Sequence, residues 1–182
     1  KVQSELDIYI LNKDTEPEEI FELMKLLDKG ISLGIISEAG LPAVADPGAQ
    51  LVNIAQSKRI QVVPLVGPSS IMLALMASGM NGQNFAFHGY LPIDKTERKK
   101  RLSYLENESS KTGIAQIFME TPYRNNQMVE DLTNILKSDT KICVACHITL
   151  EDEDIRTLTA KEWSTEKYDF HKRPAIFVMQ VD

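Results

Sequence analysis

The chain has 182 residues, of which 43% are hydrophobic and 25% are charged, and this is the composition of a globular protein with one large domain or two small ones. The net charge of −6 argues against a protein that coats nucleic acid by bulk positive charge, and no apolar run approaches the roughly 20 residues of a membrane span. Two cysteines do not make a disulfide framework, so we expect a cytoplasmic protein. Residues 1–5 lack a methionine and do not resemble a natural start, which indicates a fragment of a longer chain.

The first quarter of the chain predicts a helix followed by a strand. Thr15 begins a capping box that places Pro17 in the first helical turn, and Gly30 ends the helix. Apolar residues recur at helical spacing between these two ends. The apolar run at residues 31–36 is typical of a strand that is buried in a parallel sheet.

A second helix and strand repeat this order. Apolar residues predict a helix from Leu51, and residues 61–66 form a second run of the kind that parallel strands show. Ser69 or Ser70 caps a third helix, which ends at Gly79. The alternation of strands and helices predicts a mostly parallel sheet with right-handed crossovers.

The character of the chain changes near residues 81–92, where several turn formers predict a domain boundary. We therefore expect an N-terminal α/β domain at residues 1–80 and a C-terminal α/β domain at residues 81–182. The second domain is predicted to hold a mixed sheet whose last three strands are antiparallel, because short turns join them. Its predicted elements are helices at residues 96–109 and 122–136 and strands at residues 113–119, 141–150, 155–158 and 175–181.

The loop between the first predicted strand and the second helix is a candidate ligand site. It has twelve residues, from Ser37 to Gly48, whereas such connections usually have about two to six. In open α/β sheets, ligands bind beyond the carboxyl ends of the strands, and small residues allow the backbone to approach a ligand closely. A plain connection would occupy the same place, but its length favours a ligand loop.

Two other turns also open a helix. Residues 66–70 bring free N–H groups and hydroxyls together, although a turn with an N-cap is the better explanation of this segment taken alone. Residues 119–125 place an acid, a hydroxyl, a phenol and a guanidinium in consecutive positions. This cluster is interpreted either as a helix cap or as a site.

Other patterns give weaker signals. Cys143 and Cys146 lie three apart on a predicted strand, so they point to opposite faces and cannot clamp one metal ion. The histidines show no metal-ligand spacing and no glycine-rich phosphate motif is present, so we expect no metal and no ordinary dinucleotide site. A basic cluster is interpreted as a solvated helix face or as a local contact for RNA, and it consists of Lys95, Arg98, Lys99, Lys100 and Arg101.

Four motifs, in order along the chain, resemble those of the tetrapyrrole methylase family. Ser37-Glu38-Ala39-Gly40-x-Pro42 with Asp46-Pro47-Gly48 resembles the signature of the branch that methylates a ribose 2′-hydroxyl of small-subunit ribosomal RNA. Residues 63–70, 87–92 and 120–124 resemble the next three motifs. Departures from the family pattern at Glu38, Leu41 and Tyr123 indicate a divergent sister branch, and we expect the family's opening strand and glycine-containing loop to be absent.

The resemblance implies a two-domain α/β fold with a mostly parallel sheet in the first domain and a mixed sheet in the second. It also implies that S-adenosylmethionine binds in the cleft between the two domains. The residues that the resemblance assigns to this cofactor are Ser37, Glu38, Ala39, Gly40, Asp46, Pro47, Gly48, Gly67, Pro68, Ser69, Ser70, Pro174 and Ala175.

The resemblance further implies methyl transfer to ribosomal RNA or to the small ribosomal subunit, by a homodimer that does not bind membranes. Since an alcohol is a poor nucleophile, a base would help, and Glu38, Asp46 and Glu120 are candidates for this role or for holding the cofactor. A methyltransferase for a tetrapyrrole or another small molecule and a binding module without catalysis are alternatives. The residues expected to contact the substrate are Tyr123, Arg124, Lys99 and Arg101.

Overall fold

The computed structural model describes residues 6–181 of an α/β protein, so the prediction about residues 1–5 lies outside the described residues. The chain forms two compact units, one that ends at Pro68 and one that begins at Ser69. The helices are α1 (Pro17–Asp28), α2 (Ala49–Ser57), α3 (Ser70–Ser78), α4 (Lys95–Thr112), α5 (Asn125–Ile135) and α6 (Ala160–Trp163). The strands are β1 (Phe85–Tyr90), β2 (Ala115–Met119), β3 (Lys141–Cys146), β4 (Asp154–Thr159) and β5 (Ala175–Gln180).

The first unit contains α1, α2 and irregular connections. The N-cap of α1 is Glu16, whose backbone N–H donates to Glu19 Oε2 at 3.0 Å, and Pro17 occupies the first turn as predicted. The cap therefore lies one residue after the predicted Thr15, because the Thr15 hydroxyl accepts a hydrogen bond from the Asn12 N–H instead. The core of this unit is a cluster of Ile20, Leu23, Met24 and Leu51.

The two parallel strands predicted for this unit do not form among the described residues. Residues 31–36 and 61–66 have no regular structure and take part in no strand pairing. Ile36 is 90% exposed and Leu65 is 84% exposed, while Leu33 and Ile35 are only partly buried against the core of this unit. A strand requires a hydrogen-bonded neighbour, and the apolar pattern of a segment does not supply that neighbour.

The second unit is built on one mixed sheet of five strands in the order β1-β2-β5-β3-β4. The β1–β2 pair is parallel and the other three pairs are antiparallel, which confirms the predicted mixed sheet. The prediction that short turns join the last three strands is correct only for β3 and β4. The connection to β5 contains α6, and β5 lies between β2 and β3.

Strand β1 was not predicted, because its segment was interpreted as a boundary rich in turn formers. Gly89 has a left-handed backbone, with φ +64°, and the register of the β1–β2 pair shifts between Phe87 and Tyr90. A glycine inside a strand tolerates this bulge, which explains how a turn-forming residue lies within the sheet.

Helices cover both faces of this sheet. On one face, α4, α5 and α6 enclose a core that includes Leu102, Phe118 and Trp163. On the other face, α3 packs Ala74 and Leu75 against the strands. The sequence placed α3 in the predicted domain of residues 1–80, whereas the structure places it in the second compact unit. The division into two functional domains stays a prediction. No helix within residues 6–181 combines the length and the apolarity needed to cross a membrane.

Candidate functional site

The predicted ligand loop of the first unit folds back on itself. The Ser37 hydroxyl donates to the Ala39 carbonyl at 2.9 Å, and the Ala43 N–H donates to the Pro47 carbonyl at 3.2 Å. Ala43 and Ala45 have left-handed backbones, with φ +65° and +55°. Such a conformation costs on the order of 1 kcal/mol or more at each alanine, and strain of this kind concentrates at functional sites.

This folding leaves several polar groups of the loop available. Within the described part of the chain, the backbone N–H groups of Gly40, Leu41 and Ala45 have no hydrogen-bond partner. The carboxylates of Glu38 and Asp46 likewise form no hydrogen bond or ion pair there. Donors and acceptors therefore lie together within one short loop of small residues, an arrangement that can pair with hydroxyl, amino and carboxylate groups of a ligand.

The structure joins this loop to the second predicted cofactor segment. A Cβ atom at Gly67 would lie 3.3 Å from Leu41 Cδ2, so the Gly67 turn packs directly against the loop. The next residues are the cap of α3, where the Ser69 hydroxyl accepts from the Met72 N–H at 3.4 Å and Ser70 is the first helical residue. Of the two caps that the sequence left open, the structure selects Ser69.

In the second unit, the other predicted site segments meet at one end of the sheet. β2 and β5 are antiparallel and Met119 pairs with Ile176, so the residues after β2 and those before β5 lie at the same edge. The Lys172 N–H donates to the Pro122 carbonyl at 2.9 Å, and Asn125 Nδ2 donates to the Arg173 carbonyl at 2.6 Å. The segment from Glu120 to Arg124 is thereby fixed beside Pro174 and Ala175.

Glu120 is engaged inside this cluster. It is only 4% exposed, and its Oε1 accepts from the Thr121 N–H at 2.6 Å and from Arg124 Nη2 at 2.5 Å. The hydrogen bond and the charge of Glu120 raise the pKa of Arg124. Glu120 therefore holds the guanidinium in place, and this arrangement suits a positioning role better than that of a free base.

Beside this ion pair, Arg124 Nε and Asn125 Oδ1 are buried and have no hydrogen-bond partner among residues 6–181. Unpaired buried polar atoms are rare and costly in folded proteins, and ligand sites are one place where they occur. Tyr123, which lies between Glu120 and Arg124 in the chain, is 69% exposed and contacts the His171 ring edge-to-face at 6.0 Å. The cluster thus presents a phenol and a guanidinium at the end of the sheet.

Sequence reasoning missed three polar residues at the same edge, which are His147, Asp152 and Arg173. His147 follows β3, and its Nδ1 lies 2.7 Å from Asp152 Oδ2. Arg173 Nη2 donates to the same oxygen at 3.1 Å. The strand was predicted to extend to residue 150, so His147 was placed inside it. In the structure the strand ends at Cys146, and His147 therefore lies at its carboxyl end, where site residues are expected.

The basic cluster of α4 divides into separate groups. Arg98 is buried in an ion pair with Asp131, and exposed Lys100 pairs with Glu97. Arg101 Nη2 lies 3.1 Å from His88 Nδ1, and its guanidinium stacks over the Tyr104 ring at 5.2 Å.

The two remaining cations of the cluster, Lys95 and Lys99, line a surface depression of about 390 Å³. The acids Glu130 and Asp131 line the same depression. The cations that face solvent are therefore fewer than the sequence suggested.

The two cysteines do not form a common site. Cys146 belongs to the core on the α4 side of the sheet and Cys143 to the core on the α3 side, as the strand spacing predicted. Burial raises the pKa of the Cys146 thiol to about 11 and also raises that of Cys143. Both thiols therefore remain protonated near neutral pH.

Comparison with known proteins identifies relatives of the chain. The model of the tetrapyrrole (corrin/porphyrin) methylases matches residues 10–163. The ribosomal RNA small subunit methyltransferase I of Xylella fastidiosa is 34% identical over 97% of this chain and 62% of its own length. The enzymes of the same name from Vibrio cholerae and Bacillus subtilis are 31% and 34% identical, over 86% and 85% of this chain. The chain spans 53% and 51% of the length of those two relatives.

Solved structures show the same fold at low sequence identity. The methyltransferase CobJ matches 90% of this chain and 70% of its own, with a TM-score of 0.59 and 14% identity. The cobalt precorrin-4 methyltransferase CbiF matches 92% and 72%, with a TM-score of 0.56 and 15% identity. The family and the fold implied by the sequence motifs are confirmed, and the chain belongs to the tetrapyrrole methylase family.

Proposed function

We propose that the protein containing this chain is an S-adenosylmethionine-dependent methyltransferase that modifies a ribose 2′-hydroxyl of small-subunit ribosomal RNA. The observation that carries this proposal is the likeness to the ribosomal RNA small subunit methyltransferase I of Xylella fastidiosa, which extends over 97% of the chain. The first of the four motifs lies in the loop to which the structure gives free polar groups and the left-handed backbones of Ala43 and Ala45.

The first unit supplies groups that suit the cofactor. The free N–H groups of Gly40 and Leu41 are donors for a carboxylate, and the Asp46 carboxylate is an acceptor for amino or ribose hydroxyl groups. A Cβ at position 67 would lie only 3.3 Å from Leu41 Cδ2, so the glycine lets this turn lie against the loop. A bound cofactor would supply a methyl group on a sulfonium, from which a neutral thioether is a good leaving group. The loop then contributes chiefly by holding its ligand in one orientation, an effect that reaches several kcal/mol in well-aligned reactions.

The second unit supplies groups that suit an RNA chain. Tyr123 offers an exposed ring on which a base can stack, and such stacking contributes roughly 1–3 kcal/mol per base. Arg124 is held in place by Glu120, and Lys99 and Arg101 add positive charge on α4. Because the net charge of the chain is −6, contacts to phosphate must be local, and these cations are the candidates.

Transfer of a labelled methyl group into small ribosomal subunits tests this proposal. The full-length protein is expected to label the ribosomal RNA and to lose activity steeply as salt increases. Charge reversal by Lys99→Glu and Arg101→Glu is expected to weaken RNA binding and to reduce the slope of its salt dependence, by about one unit for each lost phosphate contact. Cofactor affinity should not change in either variant.

Lys111→Glu is the matched control, because Lys111 is an exposed cation in the last turn of the same helix. This change should leave the salt slope unaltered. Labelling of a small-molecule fraction of a cell extract, without labelling of RNA, would exclude the proposed substrate and support a tetrapyrrole or another small molecule instead.

A further inference from the structure

We propose that His88 is a positioning residue that holds Arg101 in place to bind a phosphate of the RNA chain, an inference that rests on the function proposed above. His88 lies on β1 and Arg101 lies on α4, so both belong to the second unit. The sequence predicted contact with RNA for Arg101 and assigned no role to His88. The inference comes from the hydrogen bonds that fix the imidazole ring.

Both ring nitrogens of His88 are engaged, and their partners determine which nitrogen carries the proton. Arg101 Nη2 lies 3.1 Å from Nδ1, and a guanidinium can only donate hydrogen bonds, so Nδ1 is the acceptor. The proton of the neutral ring therefore lies on Nε2, which is 2.6 Å from Gln116 Oε1. The amide oxygen of Gln116 accepts this hydrogen bond, so one tautomer satisfies both contacts of the ring.

The surroundings of His88 keep this imidazole neutral. Burial lowers the pKa of His88 below its ordinary value, the hydrogen bond to Gln116 opposes this change, and the positive charge of Arg101 adds to it. A protonated ring would have no lone pair for Arg101 and would repel its charge. Near neutral pH, His88 thus holds a cation without carrying a charge itself.

The contacts of Arg101 leave its positive charge uncompensated. Its guanidinium lies over the Tyr104 ring, with 5.2 Å between the guanidinium carbon and the ring centroid. Within residues 6–181, no carboxylate forms an ion pair with Arg101. In contrast, Arg98 on the preceding turn of α4 is buried and neutralised by Asp131. A restrained guanidinium without a counter-ion suits a phosphate, since little side-chain entropy remains to be lost on binding.

The position of this pair brings the charge towards the other groups proposed to bind RNA. β1 and β2 are parallel and Tyr90 pairs with Met119, so the carboxyl ends of the two strands lie at the same edge of the sheet. His88 lies two residues before the end of β1, and residues 120–124 follow β2 directly. Arg101, which is bonded to His88, therefore lies towards the edge that carries the predicted substrate residues of the second unit.

A purely structural role would also explain the hydrogen bonds of His88, but it predicts a different response to mutation. Gln116 is only 2% exposed, so its bond to His88 is an internal bond of the second unit that contributes to stability. The bond to Arg101 instead restrains a partly buried side chain of α4. Variants that keep one of these bonds and lose the other separate stability from RNA binding.

His88→Asn and His88→Gln divide the two bonds between them. An asparagine amide oxygen takes the place of Nδ1 and accepts from Arg101, but this side chain is too short to reach Gln116. A glutamine amide reaches Gln116 and provides no acceptor beside Arg101. We expect His88→Asn to lower Tm and to keep the affinity for small ribosomal subunits within a factor of about two. We expect His88→Gln to keep Tm and to weaken that affinity about fivefold, the size of one hydrogen bond.

Salt dependence and NMR provide two further measurements. Arg101→Gln should reduce the slope of log affinity against log salt by about one unit, whereas His88→Gln should keep the slope, because Arg101 retains its charge. Lys111→Gln is the matched control, since it removes an exposed cation from the last turn of α4 and should alter neither affinity nor slope. Nitrogen NMR of the full-length protein is expected to show the Nε2–H tautomer of His88 near neutral pH.

The inference is wrong if RNA affinity follows Tm in both His88 variants, because His88 then acts only through the fold. It is also wrong if Arg101→Gln leaves the salt slope unchanged, or if NMR shows the Nδ1–H tautomer. Absence of RNA methylation by the wild-type protein would instead refute the proposed function itself, whereas the Tm values and the tautomer are measured without RNA.

Discussion

Removal of the Asp131 carboxylate is expected to destabilise the protein by about 3 kcal/mol, because it leaves the Arg98 guanidinium buried without a counter-ion. The two side chains are 7% and 4% exposed, and Arg98 Nε and Nη2 reach Asp131 Oδ2 at 2.7 and 2.6 Å. Breaking a buried pair in this way costs about 3–5 kcal/mol. The lower end applies here, because Arg98 Nη1 also donates to the carbonyls of Pro92 and Ile93.

Urea unfolding and thermal melting of Asp131→Ala measure this loss. A change of about 3 kcal/mol corresponds to a fall in Tm of roughly 10 °C for a domain of this size. Glu97→Ala is the matched control on the same helix, since it removes the exposed Lys100 pair and is expected to cost about 0.5 kcal/mol or less.

A loss below about 1 kcal/mol in Asp131→Ala would refute the structural assignment of this ion pair. A result with a second variant would also refute the assignment of this ion pair. If Arg98→Met weakens RNA binding without lowering Tm, Arg98 contacts the substrate, and the interpretation of the α4 cations is wrong.

Four further variants test the site and the buried thiol of Cys146. Gly67→Val should weaken S-adenosylhomocysteine binding at unchanged Tm, because the new side chain adds bulk beside Leu41. A change in affinity below about threefold by calorimetry, less than 1 kcal/mol, would show that Gly67 is only a turn residue. Either Glu120→Gln or Arg124→Ala should lower methyl transfer or ligand affinity at unchanged Tm, and loss of stability alone in both would favour a cap. Burial holds the Cys146 pKa at about 11 against an ordinary 9.0, so its thiol ionises first in the unfolded state. The stability that the Cys146 thiol contributes is present below pH 9 and is lost as pH rises towards 11. The urea midpoints at pH 8 and pH 10.5 should therefore differ less in Cys146→Ala than in the wild type.

The elements that the sequence predicts well are those fixed by neighbouring residues. The helix predicted at residues 96–109 is α4, which runs from Lys95 to Thr112 between the caps Asp94 and Gly113, and both caps are local signals. The opposite orientations of Cys143 and Cys146 follow from the period of a strand alone. The site motifs were likewise found as contiguous segments, and the structure then brought the Gly67 turn to Leu41.

Features that depend on distant partners were predicted poorly. The apolar runs at residues 31–36 and 61–66 indicate strands, but no neighbour pairs with them among the described residues. The end of β3 is set by pairing of Cys146 with Ala175, which lies far along the chain. His147 was therefore placed inside a strand, and its bond to Asp152 could not be anticipated from spacing.

We propose that the protein containing this chain methylates a ribose of small-subunit ribosomal RNA. Small ribosomal subunits that lack the modification are incubated with the full-length protein and S-adenosylmethionine, and the RNA is digested and analysed by nucleoside mass spectrometry. A single 2′-O-methylated nucleoside is expected to form in step with S-adenosylhomocysteine and to be absent without the cofactor. Formation of S-adenosylhomocysteine only in the presence of a small-molecule fraction, with no methylated nucleoside in the RNA, would contradict the proposal.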